Sequence, residues 1–171
     1  MFVAGLAVTT AARAADDVRA WNVHTLNTLA LSGQNNIVQT RSLAMVHVAI
    51  HDALNAIEQR DEPYAFSFSA PVASPEAAIT AAAHGVLLGV ISAFGTPAQQ
   101  AAAIAAANAT YASSIAMIPE GPARQEGIVV GAAAAAAALA LRAGDGALLA
   151  DIPHVPLEGS VSSPCDERSH Q

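Results

Sequence analysis

The segment that most restricts how this chain can fold is residues 41–57, RSLAMVHVAIHDALNAI. On a helix turning by about 100° per residue, Leu43, Val46, Ile50, Leu54 and Ile57 fall on one apolar stripe. His47 and His51 form the ridge beside it, and Asn55 lies one turn further on. Met45 and Val48 flank Asp52 on the far side, so no face is freely polar. A helix apolar on several sides is a central helix with neighbours packed around it. Its buried polar side chains each need a hydrogen-bond partner. His47, His51, Asp52 and Asn55 are therefore expected to form a structural polar network.

Local signals divide the rest of the chain. Residues 1–15 combine an apolar run with an Ala-Arg-Ala sequence at 12–14 that resembles a cleavage site, and so read as an export signal. That reading places the protein in the periplasm or outside the cell. Asp16 and Asp17 are expected to start a first helix over 16–32, burying Val18, Trp21, Asn22, Thr25 and Leu29. The stretch from Ser32 to Asn36 is turn chemistry. The central helix follows over 38–59.

Residues 61–73 bring Tyr64, Phe66 and Phe68 together between Pro63 and Pro71. They predict an extended loop that lids the core. Ser74-Pro75-Glu76 is a strong helix start: a capping serine, a proline at the first helical position and an acid in the first turn. It opens a third helix over 75–93, with His84 at its middle. Gly95-Thr96-Pro97 repeats the signal for a fourth helix over 97–115, and Pro119 to Pro122 leads into a fifth over 120–142. Alanine favours helix and lets neighbouring backbones approach closely, as in the unbroken alanine run 132–138. The expectation is an all-α bundle of about five helices over 16–146, followed by a linker or disordered tail over 147–171 that is rich in proline, glycine and serine.

Charge narrows the function classes. The basic residues are seven arginines with no lysine, and the formal net charge is −7. A phosphate backbone therefore meets no concentrated positive charge, and nucleic acid is not an expected partner. No run reaches the roughly 18 uninterrupted apolar residues of a membrane span, so none is expected. The single cysteine, Cys165, cannot form an internal disulfide.

His47 and His51 have the spacing of two metal ligands on one helical face. The zinc-protease pattern needs glutamate after the first histidine, and Val48 stands there instead. A third ligand has to come from His24, His84, Asp52 or Glu58, and Asp52 is expected on the opposite side of its helix from the histidine ridge. The preferred reading is no metal, with both histidines as satisfied core or interface residues. No nucleophile elbow, phosphate-cradling loop or dinucleotide fingerprint is present.

Trp21-Asn22, RSLAMVHVAIHDALNAI at 41–57, Tyr64 after Glu62-Pro63, SPEAAITAAAHGVL at 74–87, and Ile118-Pro119-Glu120-Gly121-Pro122 leading to Arg142-Ala143-Gly144-Asp145-Gly146 follow one another along the chain. In this the chain resembles the N-terminal helical half of bacterial vanadium-dependent haloperoxidase-like proteins, relatives of the type 2 phosphatidic acid phosphatases. The resemblance covers about residues 16–146. It implies an all-helical fold in a superfamily that holds vanadate, or a phosphate group, for halide oxidation by peroxide or for phosphoester hydrolysis. The family's pocket is built from a lysine with an Arg-Pro, a Pro-Ser-Gly-His segment and a later arginine and histidine. This sequence contains none of those motifs, so no catalytic or cofactor-binding residue carries over.

The expected role is then a scaffold for a missing catalytic half, inactive and without cofactor as an isolated chain. Two alternatives stand beside it. One is an exported helical module that pairs with itself or another chain, and the other is a small metal-binding helical protein using His47 and His51.

Overall fold

Where the chain changes direction, short capping motifs decide the boundaries. The computed structural model describes residues 4–147. They form α1 (Ala4–Leu31), α2 (Asn36–Glu58), α3 (Pro75–Ile91), α4 (Pro97–Ala116) and α5 (Pro122–Leu141). The fold is an all-α bundle with no strand among the described residues. At the head of α2, the Asn35 side chain accepts from the Ile37 and Val38 amides, each at 3.0 Å. Ser74 Oγ caps α3 by accepting from the Ala77 amide at 3.2 Å. Thr96 and Gln99 bond each other's backbone amides at the start of α4, a complete capping box. The 147–171 segment, Cys165 included, lies outside the described residues except for Ala147.

The first helix departs from the expected start at residue 16. It begins at Ala4, so Asp16 and Asp17 lie inside it, and Asp16 pairs with Arg19 one turn on at 2.9 Å. Alanine-rich residues 4–15 contain no proline to interrupt the helix, so an acidic pair alone does not make a boundary. The segment read as an export signal falls partly on residues 1–3, outside the described residues, and its remainder continues α1.

The hub is α3 rather than α2. It touches all four other helices, and 11 of its 17 residues are buried. Its closest partner is α5, along a seam of small residues. A β-carbon at Gly131 would lie 2.3 Å from the Ala78 carbonyl oxygen, and one at Gly127 would lie 2.5 Å from that of Ser74. These glycines let the two backbones meet almost directly. Bulk in the sequence therefore misplaces the centre, because alanine and glycine bury fully when the facing helix is equally small.

Helix α2 packs on α1, α3 and α5 and buries Ser42, Met45, Val46, Ala49, Ile50, Asp52, Ala53 and Ala56. Leu43, Leu54 and Ile57, expected at the centre of the stripe, are only half-buried at its edge. Trp21 anchors α1, its indole N–H donating to Thr80 Oγ1 of α3 at 3.3 Å. Buried Gln34 ties the α1–α2 turn to the bundle: its amide donates to the Val90 carbonyl at 3.2 Å, and its oxygen accepts from Ser42 at 2.9 Å. Of the loop aromatics, only Phe66 packs against the core, stacked on Phe68 at 6.0 Å between centroids. Tyr64 and Phe68 are exposed.

Candidate functional site

Four polar side chains of α2 hold backbone and neighbouring helix in place. Asp52 is completely buried. Its Oδ1 accepts from the Tyr64 amide at 2.7 Å, and its Oδ2 accepts from those of Ala65 and Phe66 at 2.7 and 2.8 Å. One carboxylate thus clamps three successive amides of the loop and supplies the partners that a buried charge requires. Asn55, one turn on, accepts from the Arg60 and Asp61 amides and donates to the Asp61 carbonyl. This closes the turn after the left-handed Gln59. His47 Nε2 pairs with Asn22 Oδ1 of α1 at 3.0 Å. His51 Nε2 lies 3.3 Å from the Glu62 carbonyl.

The two histidines are therefore directed to different partners, one toward α1 and the other toward the loop. Asp52 is less remote from the histidine ridge than its helical position suggests, because the His51 ring reaches to 4.0 Å from Oδ1. Among the described residues, no three His, Cys, Asp or Glu groups come together as a metal site. His84 stacks on Tyr111 of α4, with centroids 4.3 Å apart, and pairs with Asn108 at 2.8 Å. His24 meets the edge of Trp21. Neither of these two histidines has His47 or His51 among its partners.

Two arginines far apart in sequence, Arg41 and Arg142, come together in the fold. A cavity of about 500 Å³ opens between α2, the loop at Tyr64 and the end of α5. Its lining includes the apolar side chains of Ala44, Met45, Val48, Ala138 and Leu141 and the polar ones of Arg41, Tyr64, Arg142 and Asp145. Arg41 Nη2 donates to Asp145 Oδ2 at 2.8 Å and reaches the Arg142 carbonyl at 3.4 Å. Arg142 Nη2 donates to the Tyr64 hydroxyl at 2.6 Å, with its guanidinium carbon 5.8 Å from the ring centroid. The hydrogen bond from Arg41 holds the Asp145 carboxyl below the ordinary aspartate range, helped by the Ala147 amide and the charge of Arg142.

No local pattern marks this cluster, because its members are 23 to 104 residues from Arg41 and belong to separate segments. The one local signal was Arg142-Ala143-Gly144-Asp145-Gly146, legible as a helix stop.

The cluster does not fit vanadate or a phosphate group with several charges. Such an ion needs several converging cations and donors. Here one of the two guanidiniums already faces a carboxylate, and no histidine lines the cavity.

Helix α5 adds a surface feature. By length and composition it could cross a membrane, although the expected bound of uninterrupted apolar residues pointed the other way. It packs on α2 and α3, yet only 33% of its apolar stretch is buried. Val129 and Leu141 are 67% and 51% exposed.

No family model, curated protein or solved structure matches the chain.

Proposed function

We propose that this chain is a helical scaffold of the vanadium-dependent haloperoxidase-like kind, working as the packing partner of a catalytic polypeptide and carrying no turnover of its own. The observation that supports this reading is the use made of the polar groups on α2. Asp52, Asn55, His47 and His51 are each engaged in holding the loop after α2, or α1, in place. Groups engaged in this way have a structural role that accounts for their presence on the helix. The incompletely covered face of α5 supplies the surface that packing requires.

The test is direct. The purified 171-residue chain, supplied with vanadate, peroxide and bromide, is expected to give no bromination, and it is expected to give no phosphatase turnover. Either activity overturns the proposal.

A second reading, favoured by the 67% exposure of Val129, is that the uncovered side of α5 pairs with another copy of the chain. Sedimentation at rising concentration separates the two: self-association supports pairing, and a monomer that binds an apolar dye supports a different partner. A monomer that binds no such dye counts against both.

A further inference from the structure

We infer that the cavity between α2, Tyr64 and the end of α5 binds a small monocarboxylate carrying an apolar body. Three observations converge on this class. The volume, about 500 Å³, lies within the span of small-molecule pockets, roughly 300–1,000 Å³. The lining sets apolar side chains beside one linked polar cluster, Arg41–Asp145 with Arg142–Tyr64, which suits a ligand with a hydrocarbon body and a single polar head. The charges fix the sign and size of that head: Arg41 and Arg142 against Asp145 leave one net positive charge, which a monoanion neutralises and a polyanion does not match.

The donors are in place. Because the Tyr64 oxygen accepts from Arg142, its own proton is available to a further acceptor, and the Arg142 guanidinium beside it keeps other N–H groups. Tyr64 and Arg142 together present neighbouring donors to one carboxylate head. Arg41 is occupied by Asp145, and that contact shows a carboxylate seated on a guanidinium of the cavity lining at 2.8 Å. Asp145 is therefore a resident competitor whose removal should favour the ligand. A wholly apolar ligand would leave the Tyr64 proton and the remaining Arg142 N–H groups facing hydrocarbon, which is costly.

Octanoate is a suitable probe, with octan-1-ol, inorganic phosphate and vanadate for comparison, each titrated by calorimetry into the full chain. Methyl-labelled methionine locates the binding, since the chain has three methionines and Met45 stands in the cavity wall. Octanoate is expected to bind one to one, shifting the Met45 methyl signal but not that of Met117. Arg142→Gln should weaken it roughly tenfold, the loss of one charged hydrogen bond. Tyr64→Phe should weaken it several-fold, Asp145→Asn should tighten it, and Arg60→Gln, remote from the cavity, should leave it unchanged.

Arg142 is exposed at the end of α5, and an unchanged far-ultraviolet spectrum and melting temperature for its variant would establish that the fold is kept. The inference is overturned if the Met45 signal does not move or if octan-1-ol binds as tightly as octanoate. It is equally overturned if Arg142→Gln has no effect, or if phosphate or vanadate binds more tightly than the carboxylate.

Discussion

Replacing Gly131 by alanine sets two opposed effects against each other at the α3–α5 seam. Alanine in place of glycine inside a helix favours folding by about 1 kcal/mol. Against this, the new β-carbon would lie 2.3 Å from the Ala78 carbonyl oxygen, 2.8 Å from the Ala82 nitrogen and 2.9 Å from the Ala81 β-carbon. Two of these atoms are backbone and cannot swing aside. To reach an ordinary contact of 3.4 Å, α5 must back away from α3 by about 1 Å. A gap of that size forfeits roughly a quarter to a half of each dispersion contact it opens along the seam.

Overpacking of this kind costs about 1–3 kcal/mol, and the loosened seam places Gly131→Ala at the upper end of that range. The net expectation is destabilisation by about 2 kcal/mol, or a fall in melting temperature of about 4–8 °C for a chain of this size. Gly89→Ala is the internal control. The nearest atoms to its added carbon are Cδ1, Cδ2 and Cγ of Leu139 at 2.6, 2.7 and 3.2 Å, side-chain atoms that can shift where backbone cannot, so it should cost clearly less than Gly131→Ala. Urea denaturation of both variants, read by circular dichroism, decides the matter. If Gly131→Ala is as stable as the parent, or if Gly89→Ala loses as much, close backbone contact does not govern this seam.

Other expectations follow from single contacts. Asp52→Asn leaves at least one of the Tyr64, Ala65 and Phe66 amides facing a donor, at about 1–3 kcal/mol, with faster hydrogen exchange at those three amides than elsewhere. Unchanged protection there would show that the carboxylate does not hold the loop. Asp145 titrates below the ordinary aspartate value, so its pairing with Arg41 supports the fold above that value and is lost as pH falls through the lowered one. Carboxyl NMR should see the Asp145 midpoint rise in Arg41→Gln, whereas an unmoved midpoint would remove Arg41 as the cause. Thr96→Ala breaks the α4 capping box and should cost about 1 kcal/mol, measured as a shift in the urea midpoint without change in slope.

What could be read from the residues alone was whatever depends on near neighbours. Ser74 before Pro75 and Thr96 before Pro97 mark the starts of α3 and α4 because capping acts within a turn. The all-helical character followed from alanine and from the period of the apolar positions. Relations across the chain were not legible. Helix α3 is central because its alanines meet glycines of α5 about fifty residues away, and small side chains carry no periodic signal of their own. The cavity joins Arg41, Tyr64 and Arg142, which no spacing rule connects. His47 and His51 looked alike on the helix, yet their partners lie on α1 and in the loop respectively.

The Asp52 clamp also bears on the order of assembly. All three amides it grips lie within 14 residues of it, so this loop closes over a short span at small entropic cost. The α3–α5 seam has to bring together residues such as Ala78 and Gly131, far more distant along the chain. During refolding, α2 with its following loop should thus behave as an early unit, and the seam should form last. In rate measurements, variants at Asp52 are expected to slow folding, while those at Gly131 chiefly hasten unfolding.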